Sequence, residues 1–277
     1  MKNSSIKKNL VLAGLGLLMA AGQATADKLD DVLSKGVIRC GIVLDFPPMG
    51  FRDGDNNPVG MDVDMCVDLA KGMKIKHKIV GLTWAERIPS LVSGKIDVAI
   101  ASSSDTLERA QTVGFTIPYM KFQFQALVSK KNAGVIKTWA DLKDKNVAAA
   151  IGTTYESEFL KYKEENWKDS KGKYTSFQSE NESFFAVANN VVDAVIVTDT
   201  AAANAISSGK FEGVTLGPVA PFGADIVGMM TLRKEYGLIR YLNLFINRQV
   251  RSGRFQELYG KWIGGQAPDM TTPGTYY

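Results

Sequence analysis

The chain has 277 residues and a formal net charge of +4, with 45% hydrophobic and 22% charged residues. Three lysines near the N-terminus account for most of that excess, and removing residues 1–26 leaves a charge near +1. No basic stripe is interleaved with aromatic residues, so the composition excludes the usual pattern of nucleic-acid binding.

Residues 1–26 have the pattern of a secretory signal peptide. Lysines precede an apolar run over residues 10–21, and residues 24–26, Ala-Thr-Ala, form a small-x-small cleavage site. The apolar run is too short to span a membrane, and no Cys follows the cleavage site to carry a lipid. We predict cleavage after Ala26 and release into the periplasm; a retained membrane anchor is the alternative.

Cys40 and Cys66 are the only cysteines, and His77 is the only histidine. Without CxxC spacing, ordinary ligands for a structural zinc site are missing, and we predict neither a metal nor a cofactor. In an exported protein the two cysteines form either one disulfide between the first strand and the helix packed on it, or two buried free thiols. The sequence leaves both possibilities open.

Strands and helices alternate along residues 37–110 in a way that predicts a parallel sheet covered by helices. The predicted strands are 37–43, 76–80 and 96–100. The predicted helices are 61–70 and 84–92, with a first helical turn at 106–110. A loop at 46–49 and a polar turn at 52–58 separate the first strand from the first helix.

A second alternating set begins after residue 119, and two sets predict two α/β lobes. Its predicted strands are 122–129, 147–151, 174–177, 194–197 and 226–232. A capping box opens a short helix at 138–141, and further helices are predicted at 155–167, 183–188, 236–250 and 254–263.

The stretch from Ala101 to Arg109 has the chemistry of a carboxylate site. It combines short hydroxyls, a helix start that Ser104 or Asp105 is placed to cap, and one Arg a turn later. Backbone N–H groups at a helix start attract anions, and a guanidinium grips both carboxylate oxygens. An ordinary capped helix with a solvated Arg is the alternative interpretation.

Two further polar turns, Gly152-Thr153-Thr154 and Thr198-Asp199, follow predicted strands of the second set. Open α/β sheets bind ligands at the carboxyl ends of their strands. If the two lobes face each other, these turns and the stretch ending at Arg109 enclose one small molecule.

Together these stretches resemble the periplasmic solute-binding proteins of polar amino acid ABC importers, the bacterial family 3 group, and their glutamate/aspartate-binding members in particular. The resemblance covers nearly all of the chain after the signal peptide. The motifs that carry it lie at residues 46–49, 60–64, 88–97, 106–109, 115–119, 141–145, 152–154, 192–194 and 261–262.

The resemblance implies a two-lobed periplasmic binding protein type 2 fold, in which each lobe is a mixed or parallel sheet flanked by helices. Two hinge strands, near 121–125 and 222–227, join the lobes. The implied lobes are 27–121 plus 226–277, and 122–225. Relatives of this kind work as monomers that pass a free amino acid to an inner-membrane ABC permease, and we expect the same here.

The resemblance also assigns roles to individual residues. Arg109 is the clamp for the ligand α-carboxylate, and Asp199 is the anion for the α-ammonium. Ser102, Ser104 and the turn at 153–154 donate hydrogen bonds to the carboxylate. The residues whose rings stack on the ligand are Phe46 and Trp84.

The same resemblance makes Arg87 a candidate for the distal carboxylate or amide of the ligand. Two positions depart from the glutamate/aspartate pattern: Val43 replaces an Arg, and Glu180 falls roughly where a pocket His is expected. Members that take basic ligands commonly place an Asp at the position of Val43. The predicted order is therefore an acidic or amide amino acid, then another polar amino acid, then a basic one.

Two other functions fit the same fold. A periplasmic cyclohexadienyl dehydratase needs a general acid at the ligand, and Glu180 and Asp199 are the available candidates. A ligand-delivery module for a chemosensory receptor is the second alternative. The sequence offers no Ser/His/Asp set and no His in the presumed cleft. We therefore predict a binding protein rather than an enzyme.

Overall fold

The computed structural model describes residues 27–269, so the predicted signal peptide and its cleavage site lie outside the described residues. The strands are β1 Val37–Val43, β2 Asp45–Phe46, β3 Gly50–Arg52, β4 Pro58–Val59, β5 Lys76–Leu82, β6 Val98–Ser104, β7 Val113–Phe115, β8 Met120–Phe122, β9 Phe124–Ser129, β10 Val147–Ala150, β11 Tyr174–Phe177, β12 Ala194–Thr198, β13 Val214–Val219 and β14 Asp225–Leu232. The helices are α1 Lys28–Lys35, α2 Met61–Met73, α3 Arg87–Val92, α4 Leu107–Ala110, α5 Thr154–Asn166, α6 Glu180–Ala188, α7 Asp199–Ser207, α8 Tyr236–Arg251 and α9 Arg254–Trp262, and 3-10 turns lie at Lys130–Asn132 and Trp139–Leu142.

The first sheet has the strand order β5-β1-β6-β14-β7, with β8 also paired to β14. β1 runs parallel to β5 and β6, whereas β14 runs antiparallel to β6. Because β14 comes from the C-terminal part of the chain, the sheet is built from both ends of the sequence.

The second sheet has the strand order β11-β10-β12-β9-β13. β10 is parallel to β11 and β12, and β9 is antiparallel to β12 and β13. The predicted crossings at 121–125 and 222–227 fall where β8 pairs with the start of β14, through Phe122 opposite Asp225. The α/β class with mixed sheets is confirmed, and the exact lobe boundaries stay a prediction.

Apolar residues at helical spacing bury one face of each long helix. In α2 they recur every four residues at Met61, Met65, Leu69 and Met73, all buried under the first sheet. Cys66 on the same helix forms a disulfide with Cys40 of β1. The structure therefore resolves the alternative that the sequence leaves open.

The predicted helix cap near the serines is wrong in detail. β6 continues through Ser104, because Ser103 and Ser104 pair with Gly228 and Val227 of β14. The cap of α4 is Thr106, whose hydroxyl accepts from the backbone N–H of Arg109 at 3.2 Å.

Within residues 27–269, no helix combines the length and apolar composition needed to cross a bilayer.

Candidate ligand-binding site

Ends of strands from both sheets meet around one small cavity. The small antiparallel sheet β2-β3-β4 and α3 close its first side, and the turn after β10 closes the opposite side. The cavity has a volume of only about 10 Å³. It is lined by Phe46, Trp84, Arg87, Ser102, Ser104, Phe122, Thr153, Thr154, Tyr155, Thr198 and Asp225.

Arg109 and Gly152 line a wider space of about 420 Å³ beside this cavity. A different depression, about 890 Å³, lies between α2 and α8 and contains none of the predicted ligand residues. We assign the ligand site to the strand ends, because polar side chains from both sheets converge there.

Arg109 connects the two halves of the molecule. Its Nη1 donates to the backbone oxygen of Ser104 on its own side, and its Nη2 donates to that of Gly152 on the other, both at 3.2 Å. Burial lowers the pKa of Arg109, against the opposing effect of the nearby carboxylate of Asp225. The structure therefore places the predicted carboxylate clamp at the junction of the two halves.

Arg87 is only 3% exposed, and backbone oxygens take most of its donors. Nε donates to Trp84 O at 2.9 Å, Nη1 to Ala101 O at 3.2 Å, and Nη2 to Gly152 O at 3.0 Å. Burial, followed by the charge of Arg109, lowers the pKa of Arg87 to about 9. Because both guanidinium groups donate to Gly152 O, the site concentrates positive charge and favours an anion.

Within the described part of the chain, Asp225 is the acidic residue that lines the cavity, and no sequence motif predicted it. Burial raises its pKa to about 6, although Ser104 and the charges of Arg109 and Arg87 act in the opposite direction. Asp225 lies inside the predicted second crossing at 222–227. An acid in a buried hinge strand needs a partner, and this position could therefore have identified it as a site residue. The site thus combines two guanidinium groups with one carboxyl group.

Ser102 is held by a buried network that includes Asp62 and Tyr119. The Ser102 hydroxyl donates to Asp62 Oδ2 at 3.2 Å, and the Tyr119 hydroxyl donates to Asp62 Oδ1 at 2.8 Å. Tyr119 also accepts from the backbone N–H of Ser102 at 3.0 Å. Ser102 has a φ of 42°, in the left-handed region that costs a non-glycine residue about 1–3 kcal/mol. The network fixes this strained residue at the edge of the cavity.

The turn after β10 brings hydroxyls from the second sheet to the first. Thr154 Oγ1 donates to Ser104 Oγ at 2.6 Å, which joins two predicted carboxylate donors directly. Thr153 is the N-cap of α5: its hydroxyl accepts from Glu156 N at 3.3 Å and donates to Ala150 O at 2.7 Å. The hydroxyl of Thr153 is therefore used within its own half.

Phe46 and Trp84 lie together on the first side of the cavity, with ring centroids 4.9 Å apart in an edge-to-face arrangement. The guanidinium of Arg87 lies 4.8 Å from the centroid of the Trp84 ring. Trp84 Nε1 is buried and has no hydrogen-bond partner in the described part of the chain. Stacking of these rings on a ligand stays a prediction.

Asp199 begins α7 and is partly buried, next to Thr198 of the cavity wall. Its Oδ1 accepts from Thr200 N at 2.8 Å, and its own N–H donates to Gln123 O at 2.8 Å. Burial raises its pKa, against these backbone hydrogen bonds. Asp199 does not itself line the cavity, and its role toward an α-ammonium stays a prediction.

Glu180 lies behind Tyr155 and is 1% exposed. The Tyr155 hydroxyl donates to Glu180 Oε1, and Glu180 Oε2 has no hydrogen-bond partner within residues 27–269. The backbone N–H of Glu180 donates to Oδ2 of Asp45, in the small sheet, at 3.1 Å. Desolvation raises the pKa of Glu180 well above its ordinary value, and the charge of Asp45 acts in the same direction.

Several known proteins are similar to this chain in sequence. L-cystine-binding protein TcyJ of Escherichia coli strain K12 is 27% identical over 274 residues, which cover 95% of this chain and 98% of that protein. ABC transporter arginine-binding protein 1 of the same strain is 28% identical over 260 residues, 92% of this chain and 99% of that protein. Cyclohexadienyl dehydratase of Pseudomonas aeruginosa is 33% identical over 111 residues, only 40% of this chain and 41% of the enzyme.

Among solved structures, an ancestral arginine-binding protein bound to arginine matches with a TM-score of 0.77 and 30% identity. The match covers 83% of this chain and 99% of that one. The sequence profile of the bacterial extracellular solute-binding proteins, family 3, matches residues 38–265. The predicted family is therefore confirmed, and this chain belongs to the bacterial extracellular solute-binding proteins of family 3.

Proposed function

We propose that this protein is the periplasmic substrate-binding component of an ABC importer for a polar amino acid. The observation that carries the proposal is the convergence on Gly152 O of two guanidinium groups, buried Arg87 and partly buried Arg109, beside hydroxyls from both halves. A buried, uncompensated charge costs several kcal/mol, and a ligand carboxylate supplies the missing anion. The names of the relatives, which include cystine- and arginine-binding proteins, support an amino acid as ligand.

In this proposal the ligand binds between two closing lobes. Arg109, Ser104 and Thr154 hold the α-carboxylate, and Asp199 answers the α-ammonium. A ligand that touches both halves only when they meet favours the closed arrangement through its differential affinity. The protein acts as a monomer and passes the amino acid to an inner-membrane permease.

Two kinds of ligand side chain are candidates for this site. An acidic or amide side chain is the expectation from Arg87, and the positive charge of that residue supports it. However, the guanidinium already donates to four backbone oxygens and to Ser103 Oγ, so little donor capacity remains for a ligand. A cationic side chain is the second candidate, favoured by buried Glu180 and by the relatives named for cystine and arginine.

An enzymatic alternative rests on the partial similarity to cyclohexadienyl dehydratase. Glu180 and Asp199 are its candidate general acids. Dehydration of prephenate by the purified protein would favour this alternative over binding alone. Delivery of the ligand to a chemosensory receptor would use the same closed state and is compatible with transport.

The test is a thermal-shift screen of ligand-free, refolded protein against the twenty amino acids. A ligand at 100 times its Kd adds about 2.7 kcal/mol to the free energy of unfolding, which a melting curve detects. We expect a shift with at least one polar amino acid and its loss in Arg109→Ala. The control is Arg251→Ala, which removes an exposed charge from the end of α8. If no amino acid shifts the wild type, the proposed function is wrong.

A further inference from the structure

Two acidic side chains from opposite halves of the molecule meet behind the cavity wall. Asp45 belongs to the small sheet beside the first lobe, and Glu180 is the first residue of α6 in the second. Asp45 Oδ2 accepts from the backbone N–H of Glu180 at 3.1 Å. Tyr155 lines the cavity and donates its hydroxyl hydrogen bond to Glu180. The acid pair is therefore one hydrogen bond away from the ligand space.

Within residues 27–269, no Lys or Arg forms an ion pair with either acid. The charges that act on them are acidic: Asp45 acts on Glu180, and Glu182 acts on Asp45. Glu180 Oε2 is buried without any hydrogen-bond partner in the same part of the chain. Buried carboxylates are normally paired, because an unpaired charge costs several kcal/mol. Glu180 is therefore stable in this position either as the protonated acid or beside a cation brought by a ligand.

We propose that Asp45, Glu180 and Tyr155 form a subsite for a positively charged nitrogen on the side chain of the ligand. The inference rests on the proposed function, since the cation arrives on an amino acid held by Arg109. The Asp45 carboxylate contacts the backbone of Glu180 across the two halves, and a cation beside the two acids offsets their repulsion. The ligands of this class are diamino acids, arginine, and dimeric amino acids that carry a second ammonium group.

Calorimetric titration of ligand-free protein with matched ligand pairs tests the subsite. Arginine and citrulline have nearly the same shape but differ in charge, and ornithine and norvaline differ by one ammonium group. We expect arginine and ornithine to bind at least about tenfold more tightly than their neutral partners, a difference of about 1.4 kcal/mol.

Glu180→Gln keeps the shape of the side chain and removes its charge. We expect this substitution to reduce the arginine-to-citrulline affinity ratio about tenfold, with little change for citrulline itself, and Asp45→Asn to act in the same direction. The control is Glu165→Gln, which removes an exposed charge from α5 and leaves the ratio unchanged. Melting curves establish that each variant folds, and if Glu180→Gln does not fold, Asp45→Asn carries the test.

Equal affinity for arginine and citrulline, or a ratio unaffected in both acid variants, overturns the subsite. Tighter binding of glutamate than of arginine also overturns it. If these results occur while Arg109→Ala still abolishes binding, the subsite fails and the proposed function stands. If no amino acid binds the wild type, both fail together.

Discussion

Asp62 shows how one buried residue links the fold to the site. It is 2% exposed, and its two oxygens accept from Tyr119 and Ser102, so it holds the strained backbone of Ser102 in place. The backbone oxygen of Ser102 in turn lies 3.4 Å from Arg87 Nη1. The ionised carboxylate only accepts hydrogen bonds, and the Ser102 hydroxyl must then point toward it rather than toward a ligand.

The titration of Asp62 predicts a pH dependence of stability. Burial raises its pKa to about 7, whereas an unfolded Asp titrates near 3.9. Between these values the folded state binds more protons, so the free energy of unfolding falls as pH rises from about 4 to 7. We expect the melting temperature of the ligand-free protein to be lower at pH 8 than at pH 5.

Asp62→Asn reduces that difference, because the amide stays neutral across the whole range. It does not abolish the difference, since burial also raises the pKa of Asp225 to about 6. Asp55→Asn, in an exposed loop, serves as the control and leaves the pH dependence as in the wild type. An unchanged pH dependence in Asp62→Asn would contradict the assignment.

Among the elements, the turn between β10 and α5 packs closely against the other half of the molecule. Gly152 has a φ of 80°, and a Cβ built on it would lie 3.1 Å from the backbone of Ala85. Gly209 after α7 has a φ of 67°, but an added Cβ there meets nothing within 4 Å. An alanine at either position has the same kind of backbone strain, but only at Gly152 does the added Cβ crowd the opposite half.

We therefore expect Gly152→Ala to weaken amino acid binding at least about tenfold, or 1.4 kcal/mol, beyond its effect on stability. Gly209→Ala has the same kind of backbone strain, about 1–3 kcal/mol, and leaves affinity unchanged. Titration calorimetry and melting curves on both variants make the comparison. Equal affinities for the two would mean that the contact with Ala85 does not limit closure.

The disulfide between β1 and α2 is expected to stabilise the folded protein. It closes a loop with a sequence separation of 26 residues, and such a crosslink contributes about 3–4 kcal/mol by restricting the unfolded chain. We expect the double substitution Cys40→Ser and Cys66→Ser to lower the melting temperature, because the unfolded chain regains entropy and the folded protein loses the buried bond. Wild-type protein under reducing conditions is the comparison, and an unchanged melting temperature in both would contradict a stabilising bond.

The elements themselves were largely predictable, because strand and helix periods in the sequence reflect burial on one face. The predicted strand at 147–151, for example, differs from β10 by one residue. Helix α1 and strand β13 were missed, since their apolar residues form no long periodic run. Ser102–Ser104 were placed in a turn because serine favours turns locally, yet pairing with β14 holds them in a strand. Local preference cannot anticipate a partner 120 residues away in the chain.

The site residues, like the secondary-structure elements, were predictable only in part. The sequence motifs identified several of the residues that line the cavity, including Arg87, Trp84 and Thr154, but not Tyr155 or Asp225. It did not identify their partners: backbone carbonyls accept from Arg87, and no motif marks Asp45 in β2 or Asp225 at the start of β14. Partners of buried charges are decided by packing between halves, which spacing along the chain does not encode.

In the whole molecule, the proposed function requires an amino acid to bridge two halves that close on it. Small-angle X-ray scattering on ligand-free protein, before and after saturation with the amino acid found by the thermal screen, tests this directly. We predict a smaller radius of gyration with the ligand, and no such change in Arg109→Ala. Saturating binding with an unchanged radius of gyration would contradict the proposed closure, because the ligand would then occupy one half alone.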